Sequence, residues 1–161
     1  MRAWILGAVA MWSAGAWACE SPECAVQTYI DAHLAKDAEQ VYQLTATSGR
    51  GDFAEFAADY HERHWAPSSL VEFVQGRTRV DVELLSEGAE FARVSAIAMS
   101  PNYHEPAMDR ALDGHGLDTS EDWSRLVDHM QEHGVETVRE EFEFYLIRDD
   151  GAWRILRPLL H

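Results

Sequence analysis

The sequence contains very little positive charge. Lys36 is the single lysine among 161 residues, and lysine and arginine together number 13 against 28 aspartates and glutamates. The formal net charge of −15 would repel a phosphate backbone, which disfavours nucleic-acid binding. Attachment to an anionic membrane surface is disfavoured for the same reason.

The sequence also lacks an apolar run long enough to span a bilayer. The longest one, residues 3–18, falls short of the roughly 20 residues that a spanning helix needs. Arg2 precedes this run, and Ala16-Trp17-Ala18 closes it with the small-x-small pattern of a signal-peptidase site. We therefore predict that residues 1–18 are a cleaved signal peptide and that residues 19–161 form one exported domain, periplasmic or secreted.

Cysteine is scarce, and both cysteines stand at the predicted mature N-terminus. An even cysteine count in an exported chain favours a disulfide between Cys19 and Cys24. The alternative is a lipid anchor on Cys19, since bacterial lipoproteins are acylated on a cysteine directly after the cleavage site. The preceding Ala16-Trp17-Ala18 matches the usual lipoprotein box poorly, so the disulfide is the favoured interpretation.

The first part of the mature chain has a helical pattern. Within residues 24–44, apolar residues mostly recur at spacings of three and four, and Asp37 is placed to cap a second short helix. Residues 45–52 are rich in turn formers and predict a loop. Asp52 then begins a third helix, "FAEFAADYHERHW", which ends by Pro67.

The later part of the chain has the period of strands. Alternation of apolar and polar residues, and the hairpin signal Asp150-Gly151, predict antiparallel strands. The predicted strands cover residues 78–84, 89–99, 135–148 and 152–156. An insertion at about 103–134 interrupts them and contains a helix, "SEDWSRLVDHMQEHG", ending at Gly134. We predict an α+β fold in which N-terminal helices pack on a curved antiparallel sheet, with a helical insertion before the last hairpin.

Alternation along the strands assigns their side chains to two faces. The residues expected to face the helices are Val80, Val82, Leu84, Phe142, Phe144 and Leu146. The residues expected on the opposite, solvated face are Arg79, Asp81, Glu83, Arg93, Glu141, Glu143 and Arg148. Ion pairs across such a face contribute only about 0.2–1 kcal/mol each, so a dry dimer interface is not indicated.

Two segments carry a resemblance to a known family. "AVQTYIDAHLAKDAEQVYQLT" (residues 25–45) and "EEFEFYLIRDDGAWRIL" (residues 140–156), with Gly-x-Trp-x-Ile at 151–155, resemble the nuclear transport factor 2-like superfamily. The nearest likeness is to small exported bacterial members of unassigned function. In that superfamily a curved sheet wraps around helices and forms a cone with a cavity. Its members include enzymes and many non-catalytic binding domains, so fold does not determine function.

The favoured interpretation is a non-catalytic binding or accessory domain without a cofactor, and a catalytic alternative stays open. Such a domain would hold a small apolar or amphipathic ligand in the cone, or dock a partner protein at its mouth. The expected cavity wall is Val82, Val94, Phe142, Phe144 and Trp153, with Trp123 and Met130 as a lid on the insertion helix. Each tryptophan has the competing interpretation of core filling.

The alternative function is that of a small-molecule isomerase, dehydratase or cyclase. Enzymes of the superfamily use a carboxylate base in the cone, sometimes with tyrosine or histidine, and Asp31 and His33 beside Tyr29 are the nearest residue types here. Asp31 and His33 stand two positions apart on a helix and therefore do not face each other. We favour the interpretation that the two residues lie on a solvated helix face. The rest of the sequence shows no pattern typical of a nucleophile paired with a base.

Two histidine pairs have spacings that could suit a metal. His61 and His64 are three apart, and His129 and His133 are four apart, so each pair can share one helix face. Two ligands rarely hold zinc, and neither pair has the glutamate of a metalloprotease motif in the right place. Surface or helix-capping roles are favoured, and no metal site is predicted.

Overall fold

The computed structural model describes residues 19–112, 114 and 116–157, and the predicted signal peptide lies outside them. The described chain begins with five helices: α1 (Pro22–Leu34), α2 (Ala38–Leu44), α3 (Thr47–Arg50), α4 (Phe53–Arg63) and α5 (Ser68–Gln75). Two strands and two helices follow: β1 (Arg79–Glu87), β2 (Phe91–Pro101), α6 (His104–Leu112) and α7 (Ser120–His133). The strands β3 (Thr137–Asp149) and β4 (Ala152–Arg157) complete the order.

The strands form one curved antiparallel sheet in the order β1-β2-β3-β4. The register shifts between Leu84 and Ser86, and again between Tyr145 and Leu146. Such bulges bend a sheet and increase its twist. Helix α1 packs on the sheet, and α2 and α4 pack on one another beside it. The predicted α+β architecture, with a helical insertion before the β3–β4 hairpin, is confirmed.

Side chains at the helix starts explain why several helices begin where they do. The Asp37 carboxylate accepts the backbone N–H of Gln40 at 2.9 Å, and that of Asp52 accepts the N–H of Ala54 at 2.8 Å. Thr119 and Asp122 form a reciprocal capping box at the start of α7. The caps at Asp37 and Asp52 are where the sequence predicts them. Gly134 ends α7 with φ 80°, a left-handed conformation that favours glycine.

The main core lies between the helices and the inner face of the sheet. One cross-strand row runs Val82–Ala96–Phe142 from β1 through β2 to β3, and the next runs Leu84–Val94–Phe144. Its largest fully buried side chains are Trp153, Tyr29, Phe144, Leu44, Leu146 and Ile155. The predicted inward face of the sheet is therefore correct, and six of the seven charged residues predicted for the other face point away from this core. The prediction is wrong for Arg148, which shares the strand parity of Leu146, pairs with Trp153 across β3 and β4, and holds its guanidinium carbon 4.8 Å from the centre of the Trp153 ring.

A second, smaller core lies between α5 and α7. It consists of Leu70, Phe73, Leu126, Val127 and Met130. Helix α5 was not predicted, because eight residues after a proline are too short to show a helical period clearly. Helix α6 was likewise not predicted, and the short helix α3 occupies part of the predicted loop at 45–52.

Candidate functional site

The five residues predicted to line a cone cavity are brought together in the main core. Val94 and Phe144 are fully buried and Trp153 is 1% exposed, while Val82 and Phe142 pack against them from partly buried positions. None of the five lines any of the clefts described below. Trp153 therefore packs within the main core of the described chain.

The two residues predicted as a lid belong to the other core. Met130 and Trp123 lie on α7 and pack with α5, and the Trp123 indole Nε1 donates a hydrogen bond to the Leu117 carbonyl at 3.0 Å. The seven predicted cavity residues therefore fall into two clusters. The sequence could not reveal this division, because it depends on the packing of α7 against α5, a helix that was not predicted.

Four aromatic side chains from α1 and the end of α4 form a polar cluster, which we name the imidazole–tyrosine cluster: Tyr29, His33, Tyr60 and His64. The His33 ring lies 4.7 Å from that of Tyr29 and 5.4 Å from that of His64, centroid to centroid. The Tyr60 hydroxyl lies 3.2 Å from His33 Nδ1, and the Tyr60 ring is 4.7 Å from His64. The four rings thus form one continuous contact network.

Burial disfavours the charged form of each member of this cluster. It lowers the pKa of His33 to about 3, with smaller contributions from His64 and Lys36. It also raises the pKa of Tyr60 to about 12 and raises the pKa of Tyr29. The pKa of His64 is lowered by burial and by the positive charges of Lys36 and Arg63, against an opposing effect of Asp59. A neutral His33 can accept or donate a proton, and its Nε2 is buried without a hydrogen-bond partner among the described residues.

Asp31, the other residue considered as a base, lies outside the cluster. Its carboxylate is exposed and accepts a hydrogen bond from Gln27 Nε2 at 3.0 Å. This placement agrees with the expectation that Asp31 and His33 do not face each other. Of the two, only His33 contacts other candidate groups.

A small cleft of about 190 Å³ opens at the cluster, and we name it the tyrosine cleft. Its lining residues are Tyr29, His33, Val41, Thr45, Gly49, Phe56, Asp59, Tyr60, Arg63, His64 and Leu156. The Arg63 Nε donates to Asp59 Oδ1 at 2.8 Å, so one carboxylate and one guanidinium of the wall neutralise each other.

A larger cleft of about 570 Å³, which we name the basic cleft, shares Arg63 and His64 with the tyrosine cleft. Its other lining residues are Lys36, Trp65, Ala66, Pro67, Leu70, Tyr103, His104 and Trp123. No carboxylate occurs among these lining residues, although the chain carries 28 acidic residues. Trp65 is 65% exposed, which is unusual for so large an apolar side chain.

Lys36 reaches the basic cleft from the turn between α1 and α2. Its backbone is left-handed, with φ 58°, which is uncommon for a residue other than glycine. The turn is held by hydrogen bonds from Lys36 N to the His33 carbonyl at 3.1 Å and from Asp37 N to the Ala32 carbonyl at 2.9 Å. Partial burial lowers the pKa of the Lys36 ammonium group.

The histidine pairs behave differently from each other. His64 belongs to both clefts, whereas His61 is exposed on α4 and lines neither. The rings of His129 and His133 stack at 4.2 Å on α7, and His133 Nδ1 lies 3.1 Å from the His129 carbonyl oxygen. Within the described residues, no group of three or more histidine, cysteine or acidic side chains is arranged to hold a metal ion.

The N-terminal cysteines are within disulfide reach. The Cα atoms of Cys19 and Cys24 lie 5.4 Å apart, inside the range that a disulfide requires. Cys19 is buried against the main core.

None of the helices in the described part of the chain is long and apolar enough to span a bilayer.

The convergence of Lys36, His64 and Trp65 on one cleft was not predicted. A partial signal exists: Tyr60 and His64 follow the apolar stripe of α4, and Lys36 is the single lysine of the chain. Their proximity comes from the packing of separate helices, which sequence periodicity does not specify.

Compared with known protein families and with curated protein sequences, the chain matches none.

Proposed function

We propose that the protein is a small-molecule binding domain whose amphipathic ligand occupies the basic cleft. The observation that carries this proposal is the meeting of an exposed tryptophan, Trp65, with Lys36, Arg63 and His64 around one open space of about 570 Å³. Ligand sites combine apolar and aromatic walls with a few convergent polar groups in volumes of this order. The cleft is also large enough to take most of a drug-sized molecule.

A binding role fits this cleft better than a catalytic one. Its wall offers aromatic surface and fixed positive charge, and its described lining includes no carboxylate that could serve as a base. Membership of the nuclear transport factor 2-like superfamily and export from the cytoplasm remain part of the proposal. They are supported by the α+β architecture and by the pattern of residues 1–18 and 140–156.

A second candidate function is proton transfer by His33, as in an isomerase, dehydratase or cyclase. The observation that favours it is a neutral imidazole whose Nδ1 meets the Tyr60 hydroxyl at 3.2 Å beside the tyrosine cleft. A neutral imidazole can take a proton from a substrate, but a pKa lowered to about 3 makes His33 a weak base, so this function ranks second. Binding in the basic cleft should survive His33→Gln, whereas catalysed proton exchange from a carbonyl substrate should be abolished.

The binding proposal is tested with a neutral fluorescent amphiphile, N-phenyl-1-naphthylamine, titrated into the mature chain. We expect saturable enhancement of its emission, and we expect Trp65→Ala to weaken binding by about tenfold or more, since exposed aromatic anchors carry much of such binding energy. Phe91→Ala is the matched control, because Phe91 is 63% exposed and lies outside the basic cleft. Absence of saturable binding, or equal losses in the two variants, would refute the proposal.

A further inference from the structure

The distribution of charge around the basic cleft differs from that of the chain as a whole. The chain has a net charge of −15, yet its single lysine, one arginine and two histidines line this one cleft, and no carboxylate is among its described lining residues. Since Arg63 is paired with Asp59, the positive charge of this cleft is that of Lys36, and such a charge in an acidic molecule attracts negative ligands locally. It also distinguishes this cleft from the tyrosine cleft, whose wall includes Asp59.

Among the described residues, Lys36 has no ion-pair partner, whereas Arg63, the other cationic side chain of the cleft, has one. Arg63 is paired with Asp59 at 2.8 Å, and Asp37, the carboxylate next to Lys36 in sequence, accepts the backbone N–H of Gln40. Within the described residues, no carboxylate forms an ion pair with Lys36 within 4.0 Å. A half-buried ammonium group without a counter-charge is costly in the free protein, and an anionic ligand would relieve that cost.

The backbone conformation at position 36 does not favour lysine, so the reason for a lysine there lies in its side chain. A left-handed backbone at φ 58° is more easily adopted by glycine or asparagine than by lysine. Lysine therefore brings a conformational cost at the turn, and what it adds there is an ammonium group at the cleft. Trp65 and Trp123 line the same cleft and can contact the apolar part of a ligand.

We infer that the ligand of the basic cleft is an anionic amphiphile, whose carboxylate, sulfonate or phosphate group pairs with Lys36 beside His64 while its aromatic or aliphatic body contacts Trp65 and Trp123. This inference rests on the proposed binding function and adds the charge class of the ligand. It requires no covalent step.

Two probes that differ by one sulfonate test the inference on the mature chain. 8-Anilinonaphthalene-1-sulfonate carries the anion, and N-phenyl-1-naphthylamine has the same aromatic body without it. We expect the sulfonate to bind at least about tenfold more tightly at low ionic strength, in line with the strength of charge-assisted hydrogen bonds. We expect Lys36→Met to weaken binding of the sulfonate much more than binding of the neutral probe, and so to remove most of that advantage.

The control variant is Arg139→Met, which removes one positive charge from the exposed outer face of the sheet, where Arg139 contacts Glu141. It should leave both affinities unchanged, so an equal effect of the two variants would mean a nonspecific response to net charge and would overturn the inference. Lys36→Gly is the second cleft variant, because glycine accepts the left-handed turn and keeps the test valid if Lys36→Met fails to fold. Equal affinity for both probes would overturn the anionic preference and leave the binding function standing, whereas no binding of either probe would overturn both.

Discussion

The Tyr60 hydroxyl on α4 meets the His33 imidazole on α1 with 3.2 Å between Oη and Nδ1. These residues are 27 positions apart in the chain. The contact joins α1 to α4, and His64, the residue directly after α4, lines both clefts. Burial at this contact lowers the pKa of His33 to about 3.

The stability of the fold should fall in acid because of His33. Its pKa is about 3 in the folded protein, below its ordinary value of 6.5, so between these pH values the unfolded chain binds a proton that the folded chain does not. The free energy of unfolding therefore decreases as the pH falls through this window, by up to about 1.4 kcal/mol per pH unit from this group, and is unaffected by it above the window.

The measurement is urea denaturation of the mature chain at several pH values between about 4 and 7. His33→Gln should show a shallower acid slope than the parent, and His64→Gln should reduce the slope in the same direction, since the pKa of His64 is also lowered. His61→Gln is the control on the same helix, exposed and outside both clefts. An acid slope of His33→Gln equal to that of the parent would contradict the assignment of a buried neutral imidazole.

Removal of the Tyr60 hydroxyl should destabilise the fold. Tyr60 is 4% exposed, and Tyr60→Phe leaves His33 Nδ1 without its partner, at an expected cost of about 1–2 kcal/mol. Tyr145→Phe removes a hydroxyl from a side chain that is 41% exposed on the outer sheet face and should change stability by less than about 0.5 kcal/mol. A double-mutant cycle of Tyr60→Phe with His33→Gln checks the pair, and strictly additive losses would mean that the two groups do not interact.

The inner face of the sheet was predictable from the sequence, while the clefts were not. Alternation along β3 places Phe142, Phe144 and Leu146 on one face whatever the rest of the chain does, because the side-chain period of a strand is two. The position of Lys36 beside His64 depends instead on how α1, α2 and α4 pack, which local spacing does not encode. The predicted lid shows the same limit: α7 was recognised as a helix, but its packing partner α5 was not.

The core interpretation of the predicted cavity residues leads to a large stability effect. Phe144 is fully buried between Val94 and the helices, so Phe144→Ala should cost about 3–5 kcal/mol through lost burial and the cavity it leaves. Phe91→Ala, at a position that is 63% exposed, should cost far less. Denaturant midpoints of the two variants give the comparison. A loss below about 1 kcal/mol in Phe144→Ala would indicate a residue beside open space, as the cone-cavity prediction supposed.

The N-terminal cysteines give the last prediction, which separates the disulfide from the lipid anchor. Cys19 is 8% exposed in the main core and Cys24 lies in α1, so the bond fastens the start of the chain to the first helix. We expect the exported chain to begin at Cys19 and to weigh two hydrogen atoms less than its reduced form by intact mass spectrometry. Cys24→Ser should abolish that difference and lower stability modestly, because a bond that closes so short a loop restricts the unfolded chain little. A diacylglyceryl group on Cys19 would contradict the disulfide, since the same sulfur cannot form both bonds.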